Sequence, residues 1–275
     1  MRRAFFAGVE IEYDTTGDGE HVVFVHHGAG ADWFLPLVSQ SALSSRFCLI
    51  HYHRAGYAGS GPLTGPMTFG RETATFRSFL HEIGVTRAHI VGHSASGCLA
   101  LQFALDAPDV VHSVAALEPA LMAVPSPPDV LRALELYRSG DRPGAVETFL
   151  RATCGPTAPA VLEREVPGAL SQALSDADTF FSQELPALRQ WPFGPSEASR
   201  IQQPVLAVLG EQSDVRFRQR HQLLLDWVPH IEPFVLAGAG HLLHLENPAR
   251  LAKGLADFFT RHPIGAAART RDTDH

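Results

Sequence analysis

The stretch Ala88-His89-Ile90-Val91-Gly92-His93-Ser94-Ala95-Ser96-Gly97 decides how this chain is read. An apolar, strand-like run ends at Gly92, and from Ser94 the spacing turns helical as far as Leu105, closed by Pro108. A serine hydroxyl is a poor nucleophile at its free pKa and needs a base to take its proton. A sharp strand-to-helix turn lifts that hydroxyl clear of a sheet, and the helix N-terminus below it supplies N–H groups for developing negative charge. Such a turn needs small neighbours two residues to either side of the serine. Gly92 meets the need in front; behind, Ser96 replaces the usual glycine and Gly97 follows. The spacing alone is a weak signal, and its place between strand and helix is what gives it weight. The other reading of Ser94 is a plain helix N-cap.

Outward from this turn, short apolar runs alternate with longer amphipathic ones, which predicts an α/β fold with a mostly parallel sheet. Strands are expected at Val9–Tyr13, His21–His26, Phe47–Tyr52, His89–Gly92, Val110–Leu117, Pro204–Gly210 and Glu232–Leu236. Helices are expected from Asp32 to about Ser44, over Thr68–Ile83, up to Trp227, and from Asn247-Pro248 to about Arg261. The alternation breaks at Glu118-Pro119. From Leu121 to about Arg200 the pattern is helical and proline-rich, with helical spacing over 129–139, 143–152, 160–175 and 178–189. This predicts a helical cap, residues 121–200, inserted into an α/β core of residues 1–120 and 201–262. Residues 263–275 are small, charged and aperiodic, and are expected to form a disordered tail.

Composition narrows the partners. The 275 residues carry a formal net charge of -7 with histidine neutral, and no Lys/Arg-rich run occurs. That disfavours nucleic acid and anionic membrane surfaces. The apolar start of the chain stops at Glu10, too short for a signal sequence. No stretch approaches the length of a membrane span. A cytoplasmic protein acting on a small molecule is the expectation, with oligomeric state left open. Cys48, Cys98 and Cys154 are an odd, widely spaced set, read as buried free thiols rather than a disulfide framework or zinc site.

Among fifteen histidines, His241 is the candidate base, because it closes the glycine-rich run Ala237-Gly238-Ala239-Gly240 after the last strand. Open α/β sheets place their sites at such carboxyl ends. His244 lies close by and would point elsewhere on a helix. The base needs a carboxylate to fix its tautomer and support its charge. Asp214, after the strand Val205–Leu209 and the turn Gly210-Glu211-Gln212-Ser213, is the first choice; it also reads as an N-cap. Glu211 is a weaker rival, and Glu118, at the end of the preceding strand, is the serious alternative. For the oxyanion the expected donors are the N–H groups of Ala95 and of Ala29 in His27-Gly28-Ala29-Gly30. No cofactor and no metal are expected. His26 and His27 point to opposite faces of an extended segment. His51 and His53 share a face, but no third ligand is evident.

Together these residues resemble the α/β-hydrolase superfamily from Val9 to about His262, apart from the cap. His27-Gly28-Ala29-Gly30 with Trp33 resembles its oxyanion loop, and His53-Arg54-Ala55-Gly56-Tyr57-Ala58-Gly59-Ser60 its glycine-rich turn after strand four. Gly92 to Gly97 resembles its nucleophile elbow, and Gly210 to Asp214 with Gly240-His241 its acid and base loops. Two residues depart from the pattern. Ser96 replaces a glycine and is able to reach into the pocket, and His53 stands where aspartate is common. The resemblance implies an eight-stranded, mostly parallel sheet flanked by helices, with the cap between strands six and seven. It implies a serine hydrolase acting on ester bonds through an acyl-enzyme. Ester, lactone, amide and carbon–carbon cleavage all stay open, as does a slow or non-catalytic receptor on the same fold. Trp33, Met122, Phe149, Phe180, Phe181 and Trp191 are the candidate substrate contacts, favouring an apolar group. No cation is evident in the elbow or oxyanion segments for a strongly acidic substrate.

Overall fold

A computed structural model describes residues 1–265; most of the expected tail lies outside the described residues. Eight strands form one sheet: β1 (Arg2–Phe6), β2 (Val9–Thr16), β3 (Glu20–Val25), β4 (Phe47–Tyr52), β5 (Ala88–His93), β6 (Val111–Leu117), β7 (Val205–Gly210) and β8 (Ile231–Leu236). Their order is β1-β2-β4-β3-β5-β6-β7-β8. β1 and β2 pair antiparallel, β2 joins β4 antiparallel, and every later pairing is parallel. The central strands are apolar on both faces because both faces are covered: β5 and β7 are buried at every residue.

One face packs under the helices Phe69–Glu82, Ala95–Asp106 and Val215–Trp227, the other under the short turns Leu35–Val38 and Ser41–Ser44 and the helix Pro248–Arg261. The helix ends are set locally. Thr68 accepts a hydrogen bond from Arg71 N–H and Asn247 one from Arg250 N–H, as N-caps do. Pro248 follows at the first helical position, where its missing N–H costs nothing.

Three elements differ from expectation. β1 was not anticipated: of its five residues only Ala4 is buried, so the strand carries almost no alternating signal. The helix expected from Asp32 to Ser44 is two short turns, and Asp32 sends its side chain to His53 rather than capping. The helical run expected over 160–175 breaks after Glu165, and Gly168, with a φ of 89°, starts the next helix.

Between β6 and β7 the described chain forms helices and no strand. A π-helical turn, Phe180–Glu184, interrupts the last long helical run of this insertion and points its final residue into the core. Glu184, 1% exposed, meets Arg54, which also donates to Glu72 at 3.1 Å. Tyr57 donates to Glu184 at 2.6 Å, and Gly28 N–H donates to its other oxygen at 3.0 Å. A side chain at Gly28 would come within 2.4 Å of the Tyr57 hydroxyl, so glycine is what lets the loop approach this carboxylate. Burial opposes the charge on Arg54, but the two carboxylates outweigh it and hold the guanidinium protonated.

One guanidinium therefore ties the turn after β4 to the helix Phe69–Glu82 and to the insertion. Breaking a buried pair by removing one partner costs about 3–5 kcal/mol. Arg54→Met is expected to lower stability by about that amount, because two carboxylates stay buried without their cation. Urea unfolding followed by circular dichroism measures it; a loss below about 1 kcal/mol contradicts this role.

Candidate active site

β5 ends in the bend the sequence suggested. Ser94 has φ 55° and ψ -118°, a conformation non-glycine residues rarely hold. Neighbouring backbone fixes it: Ser94 N–H donates to Leu117 O at 2.9 Å, and Ser94 O accepts from Ala120 N–H at 3.1 Å. A Cβ at position 92 would lie 2.2 Å from Ser96 O, so only glycine closes the bend. Ser96 does not reach into the pocket. It is fully buried, accepts from His93 N–H at 2.9 Å and turns its own hydroxyl to Val25 O. The serine thus pins the elbow to β3, a bond no glycine makes. Ser94 does not cap the helix through its side chain, and its residue lines a cavity.

His241 lines the same cavity. Its Nδ1–H donates to Glu118 Oε2 at 2.6 Å. Glu118 follows directly on β6 with φ 44°, is 1% exposed, and its other oxygen accepts from Gly210 N–H at 2.7 Å. A carboxylate only accepts, so the proton sits on Nδ1 and the Nε2 of neutral His241 is left as an acceptor. The imidazole lies flat on Phe217, ring centres 3.9 Å apart, and His93 Nε2–H donates to the His241 carbonyl at 2.8 Å. The first-choice acid, Asp214, is not there. It caps the helix Val215–Trp227 through Arg216 N–H at 2.9 Å, pairs with the Arg216 side chain at 2.7 Å, and is largely exposed. Position in the chain suited both carboxylates; the strained end of β6 is what aims Glu118 at the imidazole. Glu211 accepts from Gly238 N–H at 2.9 Å and holds the turn before His241.

Ala95 lines the cavity, and its N–H makes no hydrogen bond to the described residues. Ala29 is buried off the cavity wall, its N–H turned to His27 Nδ1 at 3.3 Å, while His27 lines the cavity. Of the expected contacts, Met122, Phe149 and Phe180 line the cavity. Trp33, Phe181 and Trp191 do not. Trp33 packs on His27 at 4.5 Å, Phe181 stacks on Tyr137 at 5.1 Å, and Trp191 donates to Gln102 at 2.7 Å. Sequence reasoning missed Cys154, Leu185, Leu188, Arg216, Phe217 and Arg220 on the wall. The last three share one face of the helix that follows the acid loop, a spacing visible once that helix is known to border the site. Cys98 is buried as expected, whereas Cys48 and Cys154 are only partly so, and all three are free. The inner cavity, about 60 Å³, shares Met122, Ser126, Val130, Leu185 and Leu188 with a groove of about 400 Å³.

The histidines outside this pair have separate roles. His26 accepts from Arg54 N–H at 2.8 Å. Asp32 supplies the third group, unseen in the sequence, beside His51 and His53, all within 4.8 Å of one another. There the His53 ring is held between Glu12 at 3.0 Å and Asp32 at 2.9 Å. Burial opposes the His53 charge, but Asp32 and Glu12 outweigh it and raise its pKa. Burial lowers His26, His27 and His93 well below the usual value, and His244 to about 3.

These four rings are neutral in the folded chain and take up protons on unfolding below about pH 6.5. Their contribution is complete above that value and lost as pH falls. His53 runs the other way, its contribution being full below the unfolded value and lost as pH rises through its folded one. His21, His51, His89, His112 and His221 are lowered by burial as well, so nine histidines stand against one, and the urea midpoint is expected to drop from about pH 7.5 to about pH 5.5. An unchanged or rising midpoint contradicts it.

Residues 22–253 match the model of the alpha/beta hydrolase family. A dihydrolipoyllysine-residue acetyltransferase component of an acetoin cleaving system from Cupriavidus necator is 32% identical over 112 residues, 41% of this chain and 30% of that protein. A putative carbamate hydrolase, RutD, from Azorhizobium caulinodans is 30% identical over 42% of this chain and 43% of its own length, so these matches cover less than half of either relative. Carboxylesterase YbfK from Bacillus subtilis is 25% identical over 88% of this chain and 80% of its own. Among solved structures, Est816, described as an N-acyl homoserine lactone degrading enzyme, is 25% identical with a TM-score of 0.74, covering 94% of this chain and all of its own. No helix among the described residues is long and apolar enough to cross a membrane. With its eight-stranded sheet, its elbow and a family match across most of its length, the chain belongs to the alpha/beta hydrolase family.

Proposed function

We propose that this chain hydrolyses a carboxylic ester or lactone of a small, largely apolar substrate through an acyl-enzyme on Ser94. The observation that carries the reading is the Glu118–His241 hydrogen bond beside a cavity that Ser94 also lines. Similarity to carboxylesterase YbfK and to Est816 supports ester and lactone bonds as the substrate class.

His241 Nε2 takes the Ser94 proton as the oxygen attacks the carbonyl carbon. The new oxyanion is met by Ala95 N–H. Glu118 supports the imidazolium without taking its proton. His241 then gives the proton to the leaving alcohol, and the carbon–oxygen bond to it breaks. A water, deprotonated by the same nitrogen, attacks the acyl carbon and frees Ser94. Phe217 holds the imidazole plane while the proton moves. The inner cavity takes the reacting carbonyl, and the wider groove beyond Met122 takes the bulk of the substrate.

A fluorophosphonate probe followed by peptide mapping is expected to label Ser94 and nothing else; labelling at another serine contradicts the mechanism. On a chromogenic short-chain ester, Glu118→Gln is expected to lower kcat/KM by roughly 10³- to 10⁴-fold, the cost of losing the imidazole's orienting carboxylate. Asp214→Ala is expected to cost about 1 kcal/mol of stability as a lost cap. It should leave kcat/KM within about fivefold, the worth of one exposed ion pair. The reverse ranking of the two variants contradicts the assignment of the acid.

A further inference from the structure

Two arginines, Arg216 and Arg220, line the cavity, and no Asp or Glu among the described residues does. Arg216 is neutralised by Asp214 at 2.7 Å. Arg220 is not neutralised. It is 5% exposed and forms no ion pair with a described residue. Its Nε donates to Leu121 O and its Nη2 to Val124 O, both at 3.1 Å. A guanidinium has five N–H donors; two are used here, and both go to neutral acceptors. The acids that bear on it electrostatically are the Cys98 thiol, which burial holds in its neutral form, and the carboxylates of Asp214 and Glu118. Asp214 is committed to Arg216, and Glu118 to His241 and Gly210. Burying a cation without a counter-charge is costly. Phe217 eases part of that cost, its ring centre 5.3 Å from the Arg220 guanidinium carbon. The same ring lies 3.9 Å from His241, so the charge stands one aromatic ring away from the base.

We propose that Arg220 binds a carboxylate carried by the substrate, so that the preferred ester is a monoanion whose acid group lies a few methylenes from the bond that is cut. This rests on the ester-hydrolase reading and deepens it. The otherwise apolar wall of Met122, Phe149, Phe180 and Leu188 packs on the methylenes, and the carboxylate supplies the charge that Arg220 lacks. Planar, two-pronged pairing with a carboxylate is what a guanidinium offers and an ammonium does not. Binding also tethers the substrate to the helix that supports His241, which fixes the distance between the acid group and the reacting carbonyl.

The test compares two near-isosteric esters at neutral pH, mono-p-nitrophenyl glutarate and p-nitrophenyl 4-carbamoylbutanoate. The anionic ester is expected to show a kcat/KM about 10- to 100-fold above the neutral one, the range of a charge-assisted pair. Arg220→Gln is expected to bring the ratio close to about one, and Arg220→Lys to leave an intermediate value. The ratio, measured on each variant, cancels any general loss from the changed packing of Leu121 and Val124. A wild-type ratio near one overturns the proposal, as does a ratio that Arg220→Gln leaves intact. A second arm needs no turnover: calorimetry on Ser94→Ala with monomethyl glutarate against methyl 4-carbamoylbutanoate. Tighter binding of the anion that Arg220→Gln abolishes supports the carboxylate site even if neither ester is hydrolysed, a result that would sink the hydrolase reading alone. Equal binding of the two overturns the carboxylate site and leaves that reading standing.

Discussion

The Glu118 carboxylate joins three strand ends. It springs from the residue just after β6, which holds a strained backbone conformation, accepts the N–H of Gly210 at the end of β7, and holds the imidazole delivered after β8. Each contact depends on the parallel register that brings Leu117 beside Val208 and Gly210 beside Leu236. A positive φ at a glutamate is unfavourable by itself. It persists because Glu118 N–H is fixed to Val208 O on one side, and Ala120 N–H is fixed to Ser94 O on the other. The strain at Glu118 and the strain at Ser94 are therefore held by one set of backbone bonds, between the ends of β5, β6 and β7.

A second carboxylate, Glu184, does for the insertion what Glu118 does for the sheet. The π-helical turn that carries it brings one oxygen to the Gly28 N–H and the other to Tyr57 and Arg54. The helical segment is thereby coupled to the loop that borders the cavity, and Phe180, four residues earlier, reaches the cavity wall. Extra-residue turns of this kind recur where a helix must aim side chains at a site. The position of the insertion over Ser94 follows from charge pairing in a dry interior as much as from apolar packing.

Much of this was legible in the sequence. The alternation of apolar runs locates seven strands, and the bend at Gly92 to Gly97 locates the elbow, because steric needs there are local. Asp214 caps a helix and Glu118 meets His241, a difference hidden in one dimension because a turn after a strand suits capping and imidazole support alike, while the backbone strain at Glu118 appears only in the fold. Trp33, Phe181 and Trp191 were expected on the cavity because aromatic character marks them as buried but not against what. Arg220 was unreadable for a related reason: what sets it apart is that no acid among the described residues pairs with it, which is a property of the folded neighbourhood. β1 escaped because a strand with one buried residue leaves no period to detect.

The most direct test of the central claim is proton NMR of the protein labelled with ¹⁵N-histidine, which reads the Nδ1 proton of His241. A strongly deshielded resonance assigned to that nitrogen, kept in Asp214→Ala and lost in Glu118→Gln, is the result this account predicts. A resonance that survives Glu118→Gln and vanishes with Asp214→Ala would contradict it.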